Sequence, residues 1–380
     1  MASALFCPFR VASMLTWQSL VHAMKLTMPA ISSSLAMMSA TDAPDTKRIL
    51  SPRSWNSPDM SKLGDDAMMS NPFRILGRGM RGHSRGSTPP RRGVPCRGRG
   101  AEGCDASVLI NGSTTERSAG PNASLRGFEV IDAAKAAVEA ACPSTVSCAD
   151  ILAFAARDGI KLTGNVDYQV PAGRRDGNVS IAQDALDNLP PPTATAKELT
   201  DKFANKSLTL EDMVVLSGAH TVGRSFCSSF LDRIWNNTTA IVDTGLSPGY
   251  AALLRALCPS NANASTPITT AIDVSTPATL DNNYYKLLPL DLGLFFSDNQ
   301  LRVNATMNAL VTRFAANETE WKQRFADAMV KMGNIEVLTG GAGQIRLNCN
   351  VVNPSSSSSS PVVQLAGEEE AAAAGAVAAS

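Results

Sequence analysis

The sequence predicts a mainly α-helical fold with very little β structure. Apolar residues recur about every 3.6 residues over 128–138 and again from 147 to about 157. Alternating apolar and polar residues, the pattern of a half-buried strand, are rare along the chain. With 380 residues, of which 44% are hydrophobic, the chain can bury a large core.

Caps and breakers predict the remaining helices. Pro171 interrupts the chain after the second helix, and a further helix is predicted over 195–203. Thr209, followed three residues later by Asp212, predicts a capped helix start before the apolar run that carries His220. The last helices are predicted over 281–288, 306–316 and Glu318–Met332.

Composition divides the chain into three parts. Residues 1–100 are rich in Pro, Gly, Ser and Arg and have no regular period, which predicts disorder. Residues 101–354 form the predicted domain, and 355–380 form a low-complexity tail. The arginines of 74–99 could form an RNA-binding arm, but the net charge is zero and few aromatics lie between them. We therefore expect no nucleic-acid partner. No run reaches the roughly 18 apolar residues of a membrane span, so no membrane partner is expected.

Cysteines and glycosylation motifs predict an extracellular protein. The chain has eight cysteines and no Cys-x-x-Cys motif, which favours disulfides over zinc or dithiol chemistry. Glycosylation motifs of the form Asn-x-Ser/Thr are frequent and typical of secreted glycoproteins. They begin at Asn111, Asn122, Asn178, Asn205, Asn236, Asn237, Asn263, Asn304 and Asn317. Residues 1–41 contain only broken apolar runs, so no signal peptide is clearly present and an organelle transit peptide remains the alternative.

One histidine stands out as a candidate ligand. His220 follows an apolar helical run, and an imidazole there can bind a metal through one nitrogen while a carboxylate holds the other. The small residues of 217–219 would let a flat macrocycle approach this segment. The alternative is a core histidine whose hydrogen bonds are satisfied within the protein.

The stretch from Val214 to Arg224 resembles the proximal-histidine segment of the plant secretory (class III) haem peroxidases. The resemblance extends from about Gly103 to about Pro354. It implies the helical haem peroxidase fold, here lacking the usual first helices, with haem b bound through His220 and with Asp298 as proximal support. It further implies a secreted, monomeric enzyme that reduces hydrogen peroxide and oxidises small phenolic donors. The same resemblance implies that the Pro171 carbonyl meets the donor. It matches Asn122 with the asparagine that orients the family's distal histidine, although here Asn122 would have nothing to orient.

The resemblance also implies two calcium ions, whose oxygen ligands suit a hard cation. The distal site would take the carbonyl of Gly103 with Asp105, Ser107 and Glu116. The proximal site would take Thr221, Asp273, Thr276, the carbonyl of Thr279, and Asp281. From the residues alone, segment 273–277 also fits an ordinary Asx turn.

Two disulfides are implied by the same resemblance, Cys148 with Cys349 and Cys227 with Cys258. Cys104 and Cys142 resemble residues whose partners lie upstream. Cys7 and Cys96 are the available replacements, and unpaired thiols are the alternative.

The distal side departs from the family pattern, so no distal catalytic residue is identified. The family places an arginine and a histidine just before its Gly-Cys-Asp motif, whereas this chain has Arg-Gly-Arg-Gly-Ala-Glu over 97–102. Loss of an acid–base group costs about 10²- to 10⁴-fold in rate. The alternative function is therefore a catalytically impaired haem-binding glycoprotein. We interpret residues 1 to about 100 as a mistaken or rearranged 5′ portion joined to a peroxidase domain.

Overall fold

The computed structural model describes residues 103–123, 125–263 and 266–354. The predicted disordered segment 1–100 and the tail 355–380 lie outside the described residues. The described part is mainly helical, as predicted. Its α-helices are Phe128–Ala141, Cys148–Gly164, Ala182–Asn188, Ala196–Ala204, Leu210–Ser217, Pro248–Leu257, Asn283–Leu287, Phe296–Gln300, Ala305–Ala316 and Glu318–Met332.

The strands are short and form two antiparallel pairs in the described residues. Strand β1 (Arg224–Phe226) pairs with β4 (Thr269–Ala271), and β2 (Trp235–Asn236) pairs with β3 (Thr239–Ala240). Strand β1 begins three residues after Thr221, the end of the segment that carries His220. It therefore fixes the direction in which the chain leaves that segment.

Helix starts follow their caps. Thr209 accepts a hydrogen bond from the amide of Asp212, whose carboxylate accepts from the amide of Thr209 in return. Thr195 and Glu198 make the same reciprocal arrangement one helix earlier. These caps satisfy amide groups that a helix start leaves without partners.

The structure extends or adds helices beyond the sequence prediction. The second predicted helix continues to Gly164. The prediction ended it too early because Asp158, Lys161 and Thr163, on its outer face, obscure the apolar period. Three helices were not predicted: Ala182–Asn188, Pro248–Leu257 and Phe296–Gln300. The first and last span two turns or fewer, which is too short for periodicity to identify.

The largest core cluster surrounds the Leu210–Ser217 helix, which we call the histidine helix. The Glu318–Met332, Ala305–Ala316 and Ala196–Ala204 helices pack against it. Met213, Val214 and Val215 of the histidine helix are buried in this cluster. The residues leading to His220 are thus held on several sides.

Two disulfides brace the fold. Cys148 is bonded to Cys349 and Cys227 to Cys258, the pairs that the resemblance implies. Cys142 is also disulfide-bonded, which excludes the free-thiol alternative for this residue. Cys7 and Cys96 lie outside the described residues. No described helix is long and apolar enough to cross a membrane.

Candidate active site

His220 lies in a 3-10 turn rather than in the α-helix itself. The histidine helix ends at Ser217, and Gly218–Thr221 form the tighter turn. The Tyr285 hydroxyl lies 2.8 and 3.0 Å from the carbonyl oxygens of Val214 and Val215 and shares its one hydrogen between them. These carbonyls would accept from the amides four residues later in a continuing α-helix, so their capture by Tyr285 favours the tighter turn.

Gly218 is small for a reason other than the one the sequence suggested. A Cβ at this position would lie 2.5 Å from Tyr285 Oη and 2.7 Å from Trp321 Nε1. Trp321 also donates to the Val215 carbonyl at 3.2 Å. Gly218 therefore allows close aromatic packing behind the turn, whereas Ser217 and Ala219 line the cavity in front of it.

The imidazole of His220 is held by a buried carboxylate. Nδ1 lies 2.7 Å from Asp298 Oδ1, and Asp298 is 1% exposed. The amide of Phe295 donates to Asp298 Oδ2 at 2.8 Å, and the Tyr284 hydroxyl donates to Oδ1 at 3.0 Å. The carboxylate accepts hydrogen bonds, so the hydrogen of neutral His220 belongs on Nδ1, leaving the lone pair on Nε2.

Tyr284 is a neutral donor in this network. Burial, followed by the negative charge of Asp298, raises the pKa of Tyr284 well above its usual range. The hydroxyl therefore stays protonated and donates to Asp298. The Phe295 ring packs against the imidazole edge-on, with ring centroids 5.1 Å apart, and limits its rotation.

A cavity of about 410 Å³ opens in front of His220. Its size is in the range of ligand-binding pockets. His220 Nε2 makes no hydrogen bond to any described residue. A basic nitrogen that faces a mostly apolar cavity fits a haem iron, because the carboxylate on the opposite nitrogen fixes the ring in a ligating tautomer.

The cavity edge contains a segment that the sequence analysis did not assign to the site. Leu189 and 190–192, a run of three prolines, line the cavity. The Ser297 amide donates to the Pro192 carbonyl at 2.9 Å, which joins this segment to the helix of Asp298. The proline run itself was the available signal. Three consecutive prolines predict a rigid segment better than one proline does, because each ring fixes one backbone torsion.

Pro171 lies elsewhere. It is exposed, does not line the cavity of His220, and its carbonyl accepts a hydrogen bond from Arg174 Nη1 at 2.5 Å. Arg174 is itself buried and paired with Asp150. The structure therefore does not bring Pro171 together with His220.

The predicted proximal calcium residues converge next to His220. Thr221 Oγ1 lies 3.3 Å from Asp273 Oδ2, 3.0 Å from Asp281 Oδ1 and 3.5 Å from the Thr279 carbonyl. A hydroxyl has one hydrogen and can satisfy only one of these oxygens at a time. The surplus of oxygen acceptors around one buried hydroxyl fits a hard cation.

The Asx turn and the oxygen cluster coexist at Asp273. Its Oδ1 accepts from the amides of Ser275 and Thr276, at 2.6 and 3.0 Å, whereas Oδ2 faces Thr221. The Thr276 hydroxyl accepts from Asn283 at 3.1 Å. No three described His, Cys, Asp or Glu side chains gather as a metal site, so hydroxyls and carbonyls must supply part of any ligand set here.

The predicted distal calcium residues are buried together. Asp105, Ser107 and Glu116 are at most 1% exposed, and Asp105 Oδ1 accepts from the Ser107 amide at 2.9 Å. Ser107 Oγ is buried without a hydrogen-bond partner among the described residues, which fits an oxygen ligand. Gly103 has a φ of +56°, and an added side chain would collide with Ile335.

Asn122 retains an unused acceptor. Its Nδ2 donates to the Glu116 carbonyl, whereas its buried Oδ1 has no donor among the described residues. His220 is the only histidine among the described residues, since His22 and His83 lie outside them. Asn122 therefore has no histidine to orient within the described structure.

Comparisons with known proteins point to one family. A model of the peroxidase family matches residues 62–317. Peroxidase 1 of Zea mays is 69% identical over 262 residues, which cover 67% of this chain and 71% of that protein. Peroxidase 5 of Vitis vinifera is 52% identical, covering 66% of this chain and 78% of its own. Peroxidase 71 of Arabidopsis thaliana is 44% identical, with coverages of 66% and 76%.

Helices that enclose a carboxylate-bound histidine facing a cavity define an oxidoreductase of the helical peroxidase class. The chain belongs to the plant peroxidase family. The predictions of the fold class, of the family and of peroxidase activity are thereby confirmed. The boundaries of the predicted domains stay a prediction, and the family match begins upstream of the described residues.

Proposed function

We propose that this peroxidase holds haem b through His220 Nε2 and reduces hydrogen peroxide while oxidising small phenolic donors. This proposal rests on the hydrogen bond between His220 Nδ1 and Asp298, which leaves Nε2 of the imidazole for the cavity that His220 lines. The haem, when bound, supplies the redox chemistry, as cofactors generally do. The residues around it supply orientation and control of charge.

The His220 environment suits this role. Asp298 holds the Nδ1 hydrogen, which makes Nε2 a stronger electron donor. The Phe295 amide and the Tyr284 hydroxyl fix the carboxylate, so the imidazole cannot turn without breaking buried hydrogen bonds. Apolar side chains such as Leu216 and Phe226 line the cavity and limit access of water.

We propose that the phenolic donor approaches along the edge formed by Leu189 and Pro190. This edge lines the cavity of His220, whereas Pro171 does not. Apolar rings and methyl groups suit an aromatic donor, and a carbonyl in such a rigid segment can accept from a phenol hydroxyl.

We also propose two calcium ions, held by the residue sets predicted from the resemblance. Support for the proximal ion comes from the oxygens around Thr221, which is adjacent to His220. This ion would fix the 3-10 turn and through it the imidazole. Support for the distal ion comes from the buried oxygens of Asp105 and Ser107.

Extracellular location and a monomeric state belong to the same proposal. Two disulfides among the described residues support an oxidising compartment. The folded unit is proposed to span 101–354, with segments 1–100 and 355–380 outside it.

The second candidate is a catalytically impaired haem-binding glycoprotein. It is favoured by the orphan acceptor of Asn122 and by residues 97–102, which read Arg-Gly-Arg-Gly-Ala-Glu in place of the family's motif with a distal arginine and histidine. An acid–base group and an electrostatic stabiliser would each contribute about 10²-fold or more to the rate.

The two candidates differ in a single experiment. The purified full-length chain is mixed with haem, its Soret absorbance is recorded, and hydrogen peroxide with a guaiacol-type donor is then added. Turnover supports the peroxidase, whereas a Soret band without turnover supports the impaired protein. The His220→Gln variant should lose the histidine-ligated spectrum, and retention of that spectrum would refute haem ligation by His220.

A further inference from the structure

Two consecutive buried tyrosines donate to different acceptors. Tyr284 and Tyr285 lie in the Asn283–Leu287 helix and are 4% and 0% exposed. The Tyr284 hydroxyl donates to Asp298 Oδ1 at 3.0 Å. The Tyr285 hydroxyl donates to the backbone of the histidine helix. Only Tyr284 contacts the carboxylate that holds the imidazole.

Tyr284 and His220 share one oxygen of Asp298. The 2.7 Å contact from His220 Nδ1 and the 3.0 Å contact from Tyr284 both end on Oδ1, whereas Oδ2 receives the Phe295 amide. A carboxylate oxygen that accepts a second hydrogen bond carries less negative charge for the first. In a buried site this competition is little screened by solvent.

We propose that Tyr284 is a positioning residue that sets how strongly His220 donates electron density to the haem iron. The inference rests on the proposed haem ligation and adds a control that acts one residue further out. By withdrawing charge from Asp298 Oδ1, Tyr284 lowers the imidazolate character of His220. Ligand basicity and reduction potential at haem iron depend on such outer hydrogen bonds.

Removal of the Tyr284 hydroxyl has a defined consequence. In Tyr284→Phe the ring volume is kept, and Asp298 Oδ1 retains the hydrogen bond from His220. The full charge of Oδ1 is then available to Nδ1–H, so His220 becomes a stronger donor. A stronger donor stabilises ferric over ferrous iron, which shifts the midpoint potential to more negative values.

Tyr285→Phe is the matched control. It removes a hydroxyl from a neighbouring, equally buried tyrosine that does not touch Asp298. Val215 keeps its hydrogen bond from Trp321. Any general effect of losing a buried tyrosine hydroxyl in this helix should appear in both variants, whereas the charge effect should appear only in Tyr284→Phe.

The test measures the iron–histidine stretching frequency of the ferrous haem-loaded protein by resonance Raman spectroscopy, together with the midpoint potential. Tyr284→Phe should raise the frequency and make the potential more negative, whereas Tyr285→Phe, which frees the turn of His220 without touching Asp298, should not raise the frequency. An unchanged frequency and potential in Tyr284→Phe, or equal shifts in both variants, would overturn the inference.

A measurement without haem separates this inference from the proposed function. The Nδ1 proton of His220 in the haem-free chain should move downfield by nuclear magnetic resonance in Tyr284→Phe, because its hydrogen bond to Asp298 strengthens. If no variant takes up haem but this shift is seen, haem ligation fails while the sharing of Asp298 stands. An unmoved proton resonance contradicts the sharing itself.

Discussion

The hydroxyl of Tyr285 lies 2.8 Å from the carbonyl oxygen of Val214, in the last turn of the histidine helix. This contact joins the helix that precedes His220 to the helix whose other tyrosine touches Asp298. The turn that carries His220 and the carboxylate behind it are therefore both contacted by one five-residue helix, Asn283–Leu287. Packing behind Gly218 must stay tight for this arrangement to persist.

Gly218→Ala should destabilise the fold. The added methyl group would contact Tyr285 Oη and Trp321 at distances that force the aromatic rings or the turn to move. Overpacking of this kind costs about 1–3 kcal/mol in the free energy of unfolding, measured by urea denaturation. Gly249→Ala is the control, because its Cβ would meet only Ser247 Oγ at 3.9 Å. Equal stabilities of the two variants would contradict the packing argument.

Gly177→Ala should remove the proposed distal calcium ion while leaving the proposed proximal one. A Cβ at Gly177 would collide with Asp105 Oδ2 and rotate the proposed ligand away. The measurement is the number of calcium ions per chain after dialysis, expected to fall by one. Gly120→Ala, where a Cβ meets nothing within 4 Å, should keep the wild-type number. An unchanged number in Gly177→Ala would remove Asp105 from the ligand set.

Asp212 should make stability depend on acid pH. Burial opposes its charge, but hydrogen bonds from Lys331 and Thr209 outweigh burial, so its pKa lies below the ordinary 3.8. A carboxyl with a depressed folded pKa stabilises the fold above the unfolded pKa and loses this contribution as pH falls through the folded pKa. Between about pH 5 and pH 2, the free energy of unfolding should therefore fall more steeply with decreasing pH in the wild type than in Asp212→Asn.

Lys331→Met tests the cause of the Asp212 effect. It keeps the carboxylate and removes the 2.7 Å partner on the Glu318–Met332 helix. The acid dependence should become shallower than in the wild type. If the pH dependence of the unfolding free energy in Lys331→Met equals that of the wild type, the lowered pKa of Asp212 comes from the Thr209 cap alone.

Replacing Cys227 and Cys258 together by Ala should lower stability through the unfolded state. The bond closes a loop with a sequence separation of 31, and loop-closure entropy predicts a loss of about 3–4 kcal/mol. The dependence of the unfolding free energy on urea should also rise, because the unfolded chain becomes less compact. An unchanged unfolding midpoint would show that native packing, rather than the covalent link, holds this region.

Features with local causes were predictable from the sequence. The cap formed by Thr209 and Asp212 depends on residues three apart, and the Glu318–Met332 helix has a full apolar period with the same bounds as predicted. The pairing of His220 with Asp298 came from the resemblance, since 78 residues separate them and no local pattern joins them.

Features that depend on distant contacts were not predictable. The turn at His220 tightens because Tyr285 takes backbone carbonyls about 70 residues away, and Gly218 is small because Trp321 lies behind it. The role of Pro171 at the donor edge stays a prediction, although Pro171 does not line the cavity of His220. Which proline lines a cavity depends on how helices pack, and the sequence around a single proline does not record that.

The bond between Cys148 and Cys349 spans a sequence separation of 201. His220, Tyr284 and Asp298 all lie between its two ends, so the histidine side of the proposed haem pocket lies inside one covalent ring. A single proteolytic cut anywhere in that ring opens it without releasing a fragment. Such a nicked protein would keep its mass under non-reducing conditions and separate into two pieces only after reduction.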